Sequence, residues 1–235
     1  MANARLSSSA AVEAHDGPAV LPEGGRPGAR RLLEAAVVAF AERGYHGVSV
    51  RDLTSAVGIQ GGSFYAHFAT KEQLLAELLI LGHEAHHAHV RDAILGAGPS
   101  AATQLREAVR ANVEFQATWP LLTIVCNTEL HALAPENVAR VLRLRHDSGV
   151  LIAAVIERGN AEGVFHCKDT WLALSAIAAM GIRVAWWCRP PGLRGDNPQA
   201  EIAAEQARWL PEDDYSVESI ADAYAEFALQ IVGAA

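Results

Sequence analysis

Apolar residues recur at intervals of three and four positions along most of this chain, which is the spacing of one face of an α-helix. Runs with the alternating pattern of a strand are sparse, because the β-branched residues are scattered. The pattern therefore predicts an all-α fold with about nine helices. Between residues 27 and 43, the apolar stripe of the first helix consists of Leu32, Leu33, Ala36, Val37 and Phe40.

Glycines and prolines bound the longer helices, since both residues end or interrupt a helical pattern. Gly96 and Pro99 separate the fourth helix from the fifth, and further prolines mark the next two boundaries. The connection at 189–214 is long, and within it residues 200–210 have the pattern of a short helix. From the fourth onwards, the predicted long helices span residues 71–95, 100–119, 121–133, 136–158, 169–188 and 215–232.

The stretch at residues 44–75 carries the most specific local pattern in the chain. Ser49 and Asp52 form a capping box in which Asp replaces the usual Glu or Gln, so a helix is expected to begin at Ser49. Gly58 lies where that helix must end in a left-handed residue, a conformation that glycine adopts without strain. A second short helix follows, and it must pack on its neighbours because it is too short to be stable alone.

A third, longer helix is predicted to start after Phe68, where Thr70 and Gln73 form a second capping-box pattern. The spacing of Phe64 and Phe68 places both rings in the core of this region. Two short helices, joined by a tight turn and followed by a longer one, describe a helix-turn-helix. This module lays its second helix in the major groove of DNA.

The segment from Arg30 to Leu75 resembles the N-terminal DNA-binding domain of the tetracycline-repressor (TetR) family of transcriptional regulators. The residues that carry the resemblance are Ala35, Ala36, Phe40, Gly44, Tyr45, Gly58, Ile59, Ser63, Phe64, Tyr65, His67, Phe68, Lys71 and Leu74. The resemblance implies that the first three helices bind DNA, while the remaining helices bind a ligand and form a dimer. The candidate DNA-binding residues are Arg51, Gln60, Gly61, Gly62, Ser63, Tyr65, His67 and Lys71.

These candidates are expected to play different roles. In the family, the tyrosine that matches Tyr65 contacts the DNA backbone. His67 and Lys71 are expected to contact phosphate, and Lys71 lies beside a helix N-terminus, which also attracts anions. Two positions depart from the family's pattern, since Gln60 stands where Ser or Thr is usual and Gly61 where Lys is common. Gln60 can pair bidentately with adenine, and the operator sequence stays open.

Short motifs beyond residue 76 are similar to the branch of the TetR family that controls lipid and steroid catabolism and senses acyl-CoA thioesters. They lie at residues 129–133, 158–165, 179–181 and 186–187. The resemblance implies a homodimer that is released from palindromic operator DNA by an acyl-CoA or another lipid- or steroid-derived effector. Each candidate effector contact has plain core packing as its alternative. The candidates are Phe115, Trp119, Leu122, Cys126, Leu130, Trp171, Met180, Arg183 and Trp187.

Arg183 lies within an otherwise apolar helix and must therefore find a partner or an anion. A ligand carboxylate or phosphate, a buried acid such as Glu129, and a salt bridge across a dimer are the open alternatives. A single recognition helix reads too few base pairs, so a dimer that reads paired half-sites is expected. Its interface is predicted on the faces of helices 169–188 and 215–232.

Composition and charge also indicate how the chain divides into domains. The 235 residues are 51% apolar, as in a globular protein. The expected units are a disordered tail at residues 1–25, a helix-turn-helix domain at 26–75, and a helical ligand-binding and dimerisation domain at 76–235. The net charge of −8 argues against a nucleic-acid partner, but residues 26–75 hold six basic and four acidic residues. A mildly basic module on an acidic body suits a protein whose phosphate contacts are confined to one end.

Neither export nor membrane insertion is indicated. Cys126, Cys167 and Cys188 are far apart and odd in number, which favours reduced thiols. The first residues lack the pattern of a signal peptide, and the most apolar window, 172–184, is too short to span a bilayer. A cytoplasmic protein without enzymatic activity is therefore expected.

A competing motif is His83-Glu84-x-x-His87, which matches the zinc-protease pattern of two imidazoles one helical turn apart with a carboxylate to activate water. A third ligand is missing at the usual downstream spacing. The main interpretation is therefore a histidine-rich, solvated helix face, and the alternative is a metal-binding protein or zinc enzyme. No catalytic residue, metal site or cofactor is predicted.

Overall fold

A computed structural model of the chain describes residues 20–25, 27–188 and 216–234. These residues form nine α-helices, two short 3-10 helices and no strand, which confirms the predicted all-α fold. The expected short helix at 200–210, the whole connection at 189–214 and most of the expected tail lie outside the described residues. The α-helices are α1 Arg30–Arg43, α2 Val50–Ala56, α3 Gly61–Tyr65, α4 Lys71–Gly96, α5 Ala101–Thr118, α6 Pro120–Thr128, α7 Pro135–Ala161, α8 Thr170–Trp187 and α9 Val217–Ile231.

Most helix boundaries fall within a few residues of their predicted positions, and α6 is the exception. The predicted helix at 121–133 ends at Thr128, and a 3-10 helix at Leu130–Ala132 takes its place. The next two residues, Leu133 and Ala134, are extended. A residue before proline is disfavoured in the helical region, so the chain must leave the helix before Pro135.

One hydrophobic core joins the three N-terminal helices to the body of the molecule. Buried residues of α1–α3 and the first half of α4 form a continuous cluster with Leu122, Val125 and Cys126 of α6 and Val141 of α7. The predicted boundary at residues 75 and 76 therefore falls inside both α4 and this core. The DNA-binding head, defined here as residues 27–75, packs on α6 and does not have a core of its own.

Residues 20–25, the last part of the expected tail at 1–25, pack against the first core. Leu21 is only 1% exposed and belongs to the same core. The guanidinium of Arg30 donates hydrogen bonds to the carbonyls of Leu21 and Pro22 at 2.9 and 2.7 Å. Residues 20–25 are held against α1, because the Leu21 and Pro22 carbonyls accept hydrogen bonds from Arg30 and the Leu21 side chain lies in the core.

The second core lies between the C-terminal half of α4 and helices α5, α7, α8 and α9. The C-terminal helix α9 packs chiefly against α5, and two ion pairs, Arg106–Glu226 and Arg110–Asp222, join these helices. Among the described residues, α8 is long and apolar enough to cross a membrane by length and composition alone, with 33% of it buried. A single helix of this kind is weak evidence for a span, because core helices pass the same test.

Candidate DNA-binding head and effector cavity

The turn into α2 has the predicted capping geometry. The Ser49 N–H donates to Asp52 Oδ2 at 2.7 Å, and the Asp52 N–H donates to Ser49 Oγ at 3.2 Å. The hydrogen bonds from Ser49 lower the pKa of the Asp52 carboxyl, which keeps it ionised at the helix N-terminus. Gly58 has a φ of +69°, so the predicted left-handed residue between α2 and α3 is confirmed.

The short helix α3 has one buried and one exposed face. Phe64 and Phe68 are fully buried with ring centroids 5.7 Å apart, which confirms their predicted core position. Tyr65 is 61% exposed, and a Cβ on Gly61 or Gly62 would meet nothing within 4 Å. The surface available to DNA consists of the exposed candidates Arg51, Gln60, Gly61, Gly62, Ser63 and Tyr65.

Lys71 has a different environment from the one expected for a phosphate contact. Its ammonium group donates to the carbonyls of Tyr45 and Val48 at 2.8 and 2.6 Å and lies 3.9 Å from the centre of the Tyr45 ring. Burial lowers its pKa. Two of its three N–H donors thus fasten α4 to the turn between α1 and α2, and a phosphate could use only the third. His67 is half-buried, beside Gly28.

Two carboxylates connect the head to the body. Glu129 Oε2 accepts a hydrogen bond from the Tyr45 N–H at 3.1 Å, and the glutamate is buried. Glu72 Oε1 accepts from the Ala134 N–H at 2.9 Å and from Asn137 Nδ2 at 3.0 Å. The start of α4 and the turn before α2 are therefore both tied to the segment between α6 and α7.

A cavity of about 390 Å³ lies in the body, enclosed by helices α4 to α8. Its apolar wall includes Phe115, Leu122, Cys126, Ile152 and Leu174. At one edge, the rings of His146 and Trp171 stack with centroids 5.9 Å apart, and both side chains are partly open to solvent. The volume and the mainly apolar wall are those of a small-molecule site.

Arg145 is the charged group in the wall of this cavity. Its Nε–H donates to His83 Nε2 at 3.2 Å, and Nη2 donates to the Cys126 carbonyl and contacts Asn127 Oδ1. Burial, with smaller contributions from Arg145 and His86, lowers the pKa of His83 to about 3. His83 is therefore neutral at pH 7, and its Nε2 can act as an acceptor.

A second polar cluster lies in the wall where α4 meets α5. His86 Nε2 is 2.9 Å from Asn112 Oδ1, which also accepts from Gln116 Nε2 at 3.2 Å. Within the described residues, Gln116 Oε1 and Thr123 Oγ1 are buried without a hydrogen-bond partner. Both residues line the cavity, so a ligand could supply the missing partners.

The chain matches two models of one protein family. Residues 32–78 match the bacterial regulatory proteins of the tetR family, and residues 98–212 match the tetracyclin repressor-like C-terminal domain. The chain is also 30% identical over 171 residues to the HTH-type transcriptional repressor KstR2 of Rhodococcus jostii (strain RHA1). That alignment covers 72% of this chain and 83% of the relative. The chain belongs to the TetR family of transcriptional regulators.

Solved structures of TetR-family regulators have the same fold. The ketosteroid transcriptional regulator KstR2 of Mycobacterium tuberculosis has a TM-score of 0.70 and 22% identity, covering 92% of this chain and 100% of that chain. AibR in complex with isovaleryl coenzyme A and operator DNA has a TM-score of 0.68 and 19% identity, covering 88% and 100%. TetR-family proteins are DNA-binding transcription factors and not enzymes, which confirms the predicted class.

Of the predicted effector contacts, Phe115, Leu122, Cys126 and Trp171 line the cavity, and the other five do not. Trp119 and Leu130 pack against the first core instead. On α8, the cavity-facing residues are Trp171, Leu174, Ser175, Ile177, Ala178 and Ile182. Since successive helical residues are rotated by about 100°, the predicted Met180, Arg183 and Trp187 lie on other faces.

These three α8 residues have other surroundings. Met180 packs against the second core, and Trp187 packs edge-on against Tyr224 of α9. Arg183 is exposed, and its charge acts on the Tyr224 hydroxyl, whose pKa it lowers against the larger effect of burial. Glu129, one of the partners considered for Arg183, accepts the Tyr45 N–H.

The histidine motif on α4 does not form the solvated face that its sequence predicts. His83 and His86 are in the cavity wall, where His83 accepts from a guanidinium, a cation that would repel a metal ion. Glu84 is exposed and faces Arg140. In the described ranges, no group of three or more His, Cys, Asp or Glu is arranged for a metal. The geometry of the motif does not support the metal-enzyme alternative.

The polar wall of the cavity was not predicted from the sequence, although one signal marks part of it. Val141, Arg145, Ser148 and Ile152 follow one another at spacings of four, three and four positions, and all four are buried or line the cavity. An arginine on the buried stripe of a long helix marks a charge that the interior must accommodate.

Proposed function

We propose that this chain is a homodimeric repressor that binds palindromic operator DNA and releases it when a small hydrophobic effector occupies the cavity. The observation that carries the proposal is the double role of α4. This helix begins at Lys71 in the DNA-binding head and contributes Gly82, His83 and His86 to the cavity wall.

A ligand between α4 and its neighbours acts on the head through short connections. Leu122 and Cys126 of α6 line the cavity and also belong to the core that holds the head. A Cβ on Gly82 would lie 2.7 Å from Cys126 Sγ, so α4 and α6 are in close contact beside the cavity. An effector that favours a different α4–α6 arrangement would shift the population towards states whose two heads no longer fit adjacent major grooves.

The effector is proposed to be lipid- or steroid-derived, either as a free acid or as its acyl-CoA thioester. The mainly apolar wall supports a hydrocarbon body. The relatives support the same class, since one is a ketosteroid regulator and another was crystallised with isovaleryl coenzyme A. A cavity of about 390 Å³ holds an acyl group, and a coenzyme A moiety would have to extend past His146 and Trp171.

The dimer interface is proposed on α8 and α9. Leu172 on α8 and Phe227 and Ile231 on α9 are 70%, 46% and 40% exposed, which is unusual for large apolar side chains. Leu172 and Ile231 border the same surface depression, so the two helices offer one continuous face. A protein that binds operator DNA as such a dimer acts in the cytoplasm of a bacterium.

A mobility-shift assay on the DNA that flanks the chain's own gene tests the proposal. A shifted band is expected, with a stoichiometry of two chains per operator, and an added effector is expected to abolish it. Absence of binding there and in a selection from random sequences would contradict the DNA-binding role.

A further inference from the structure

Arg145 is a half-buried cation, and no carboxylate of the described residues pairs with it. Its hydrogen-bond acceptors are all neutral, namely His83 Nε2, the Cys126 carbonyl and Asn127 Oδ1. Within residues 20–25, 27–188 and 216–234, no carboxylate forms a salt bridge with it, although other arginines of the body, such as Arg110 and Arg158, do have one. The charge is therefore held in the cavity wall by polar but uncharged groups.

Such an arrangement is costly for the empty protein. A guanidinium cannot be deprotonated in a protein, and a buried charge is stabilised mainly by an opposite charge. Burial lowers the pKa of Arg145, and the opposing contribution comes from the Cys126 thiol and not from a carboxylate. An anion entering the cavity would meet a charge that no other group on the described chain neutralises.

The orientation of Arg145 suits a carboxylate. Nε and Nη2 are used by His83, Asn127 and the Cys126 carbonyl, while Nη1 makes no hydrogen bond to the described protein. His83 is neutral, so it fixes the guanidinium plane without adding a second charge. Carboxylates form the short, charge-assisted hydrogen bonds for which a guanidinium is pre-organised.

The rest of the cavity wall is mainly apolar and favours a hydrophobic ligand. Phe115, Ile152, Leu174 and Ile177 line the cavity beyond Arg145. From this combination, and on the proposed effector role of the cavity, we propose that the effector is a hydrophobic carboxylic acid and that Arg145 binds its free carboxylate. The same chemistry is present in a free acid and in an acyl thioester that carries a second carboxylate at its far end.

The test compares acids with their uncharged amides by isothermal titration calorimetry of the full-length protein. The probes are decanoate, 4-cyclohexylbutyrate and cholate, each paired with its primary amide. The wild type is expected to bind at least one acid about tenfold or more tightly than its amide. Arg145→Gln is expected to remove this preference, and Arg145→Lys, which keeps the charge, is expected to retain part of it.

Arg143→Gln is the matched control, because Arg143 lies on the same helix but is exposed and outside the cavity wall. It is expected to keep the full preference of the wild type for acids. Thermal melts check that all variants fold. Because Arg145 is outside the head, Arg145→Gln is also expected to bind operator DNA normally and to ignore the acid.

Two results would overturn the inference. One is equal binding of acid and amide for every pair in the wild type, and the other is an acid preference that persists in Arg145→Gln. Decanoyl-CoA and the CoA thioester of decanedioic acid distinguish the sources of the carboxylate. Tight binding of decanoyl-CoA alone, unaffected by Arg145→Gln, would sink the inference and leave the proposed repressor function standing. If the wild type does not bind operator DNA, the proposed repressor function is wrong, while the role of Arg145 in binding a carboxylate is unaffected.

Discussion

The threonine hydroxyls of α6 differ in whether a hydrogen-bond partner is present among the described residues. Thr123 Oγ1 is buried without a hydrogen-bond partner in the described part of the chain. Five residues further along α6, the Thr128 hydroxyl shares its single O–H between the Ile124 carbonyl and Glu129 Oε1, at 2.9 and 3.2 Å. The two threonines therefore differ in whether their hydroxyl is satisfied.

Replacing each threonine by valine should separate these situations. Thr123→Val removes an unsatisfied hydroxyl at nearly constant volume, so the free energy of unfolding is expected to rise by up to about 1 kcal/mol. Thr128→Val removes the shared hydrogen bond of this hydroxyl and is expected to lower the free energy of unfolding by about 1 kcal/mol. Urea unfolding of the ligand-free protein measures both. Equal destabilisation by the two changes would mean that Thr123 has a partner in solution.

His83 gives the protein a specific acid sensitivity. Because burial lowers its pKa from 6.5 to about 3, the folded protein binds fewer protons at this residue than the unfolded chain does between these values. The stability that neutral His83 contributes is thus fully present above pH 6.5 and is lost as the pH falls towards about 3. His86, whose pKa is also lowered by burial, adds to the effect.

His83→Asn is expected to flatten the pH dependence of stability. The loss of unfolding free energy between pH 6.5 and pH 4 should shrink in this variant, by up to about 1.4 kcal/mol per pH unit. Denaturant unfolding at several pH values provides the measurement, with His131→Asn on the exposed 3-10 helix as the control. If the unfolding free energy of His83→Asn depends on pH as steeply as that of the wild type, His83 is solvated in the folded protein and the expectation is wrong.

At the scale of elements, α3 and the start of α4 have different roles. Helix α3 exposes a side chain that can contact DNA, and the start of α4 is fixed to the preceding turn. Tyr65 on α3 is largely exposed, whereas Lys71 at the start of α4 is bound to two backbone carbonyls of the preceding turn. The exposed tyrosine is free to contact DNA without a cost to the fold. The lysine positions the helix that connects head and cavity.

Two substitutions test this division. Tyr65→Ala is expected to weaken binding to all DNA sequences about tenfold, since a backbone contact carries no sequence information, and to leave stability unchanged. Lys71→Met is expected to lower the unfolding free energy by about 1 to 2 kcal/mol, because it leaves two carbonyls without their donor. Mobility shifts and thermal melts report the two properties. A Tyr65→Ala effect limited to one base pair would contradict the phosphate role.

At the scale of the whole molecule, the exposed apolar face of α8 and α9 explains why α8 has the composition of a membrane span. Its apolar residues serve the cavity on one side and remain exposed on the other. A partner subunit would bury the exposed side. The apolar residues of α8 thus face the cavity on one side and, in the proposed dimer, the partner subunit on the other.

Charges placed on this face should separate the subunits. Leu172→Glu and Phe227→Glu are each expected to convert the dimer to a monomer in analytical ultracentrifugation, and to weaken operator binding by reducing it to half-sites. Leu95→Glu is the control, since Leu95 is 72% exposed but lies at the end of α4. Dimers that persist in both variants would place the interface elsewhere.

Local sequence rules determined the helices and the DNA-binding head. The Ser49–Asp52 capping box, Gly58 and the apolar spacing of Phe64 and Phe68 each act over a few residues, and the structure places all of them as predicted. The family could be recognised for the same reason, because the resemblance rests on residues that are close together in the chain.

The cavity was decided only by the tertiary structure. Its polar wall is assembled from five helices, so Arg145, His83 and Asn112 become neighbours through packing and not through sequence spacing. The same reason explains why Arg183 and Met180 lie outside the cavity wall and why Lys71 binds carbonyls of the preceding turn. Periodicity identifies the buried face of a helix, but the partner that covers each part of that face depends on how the helices pack.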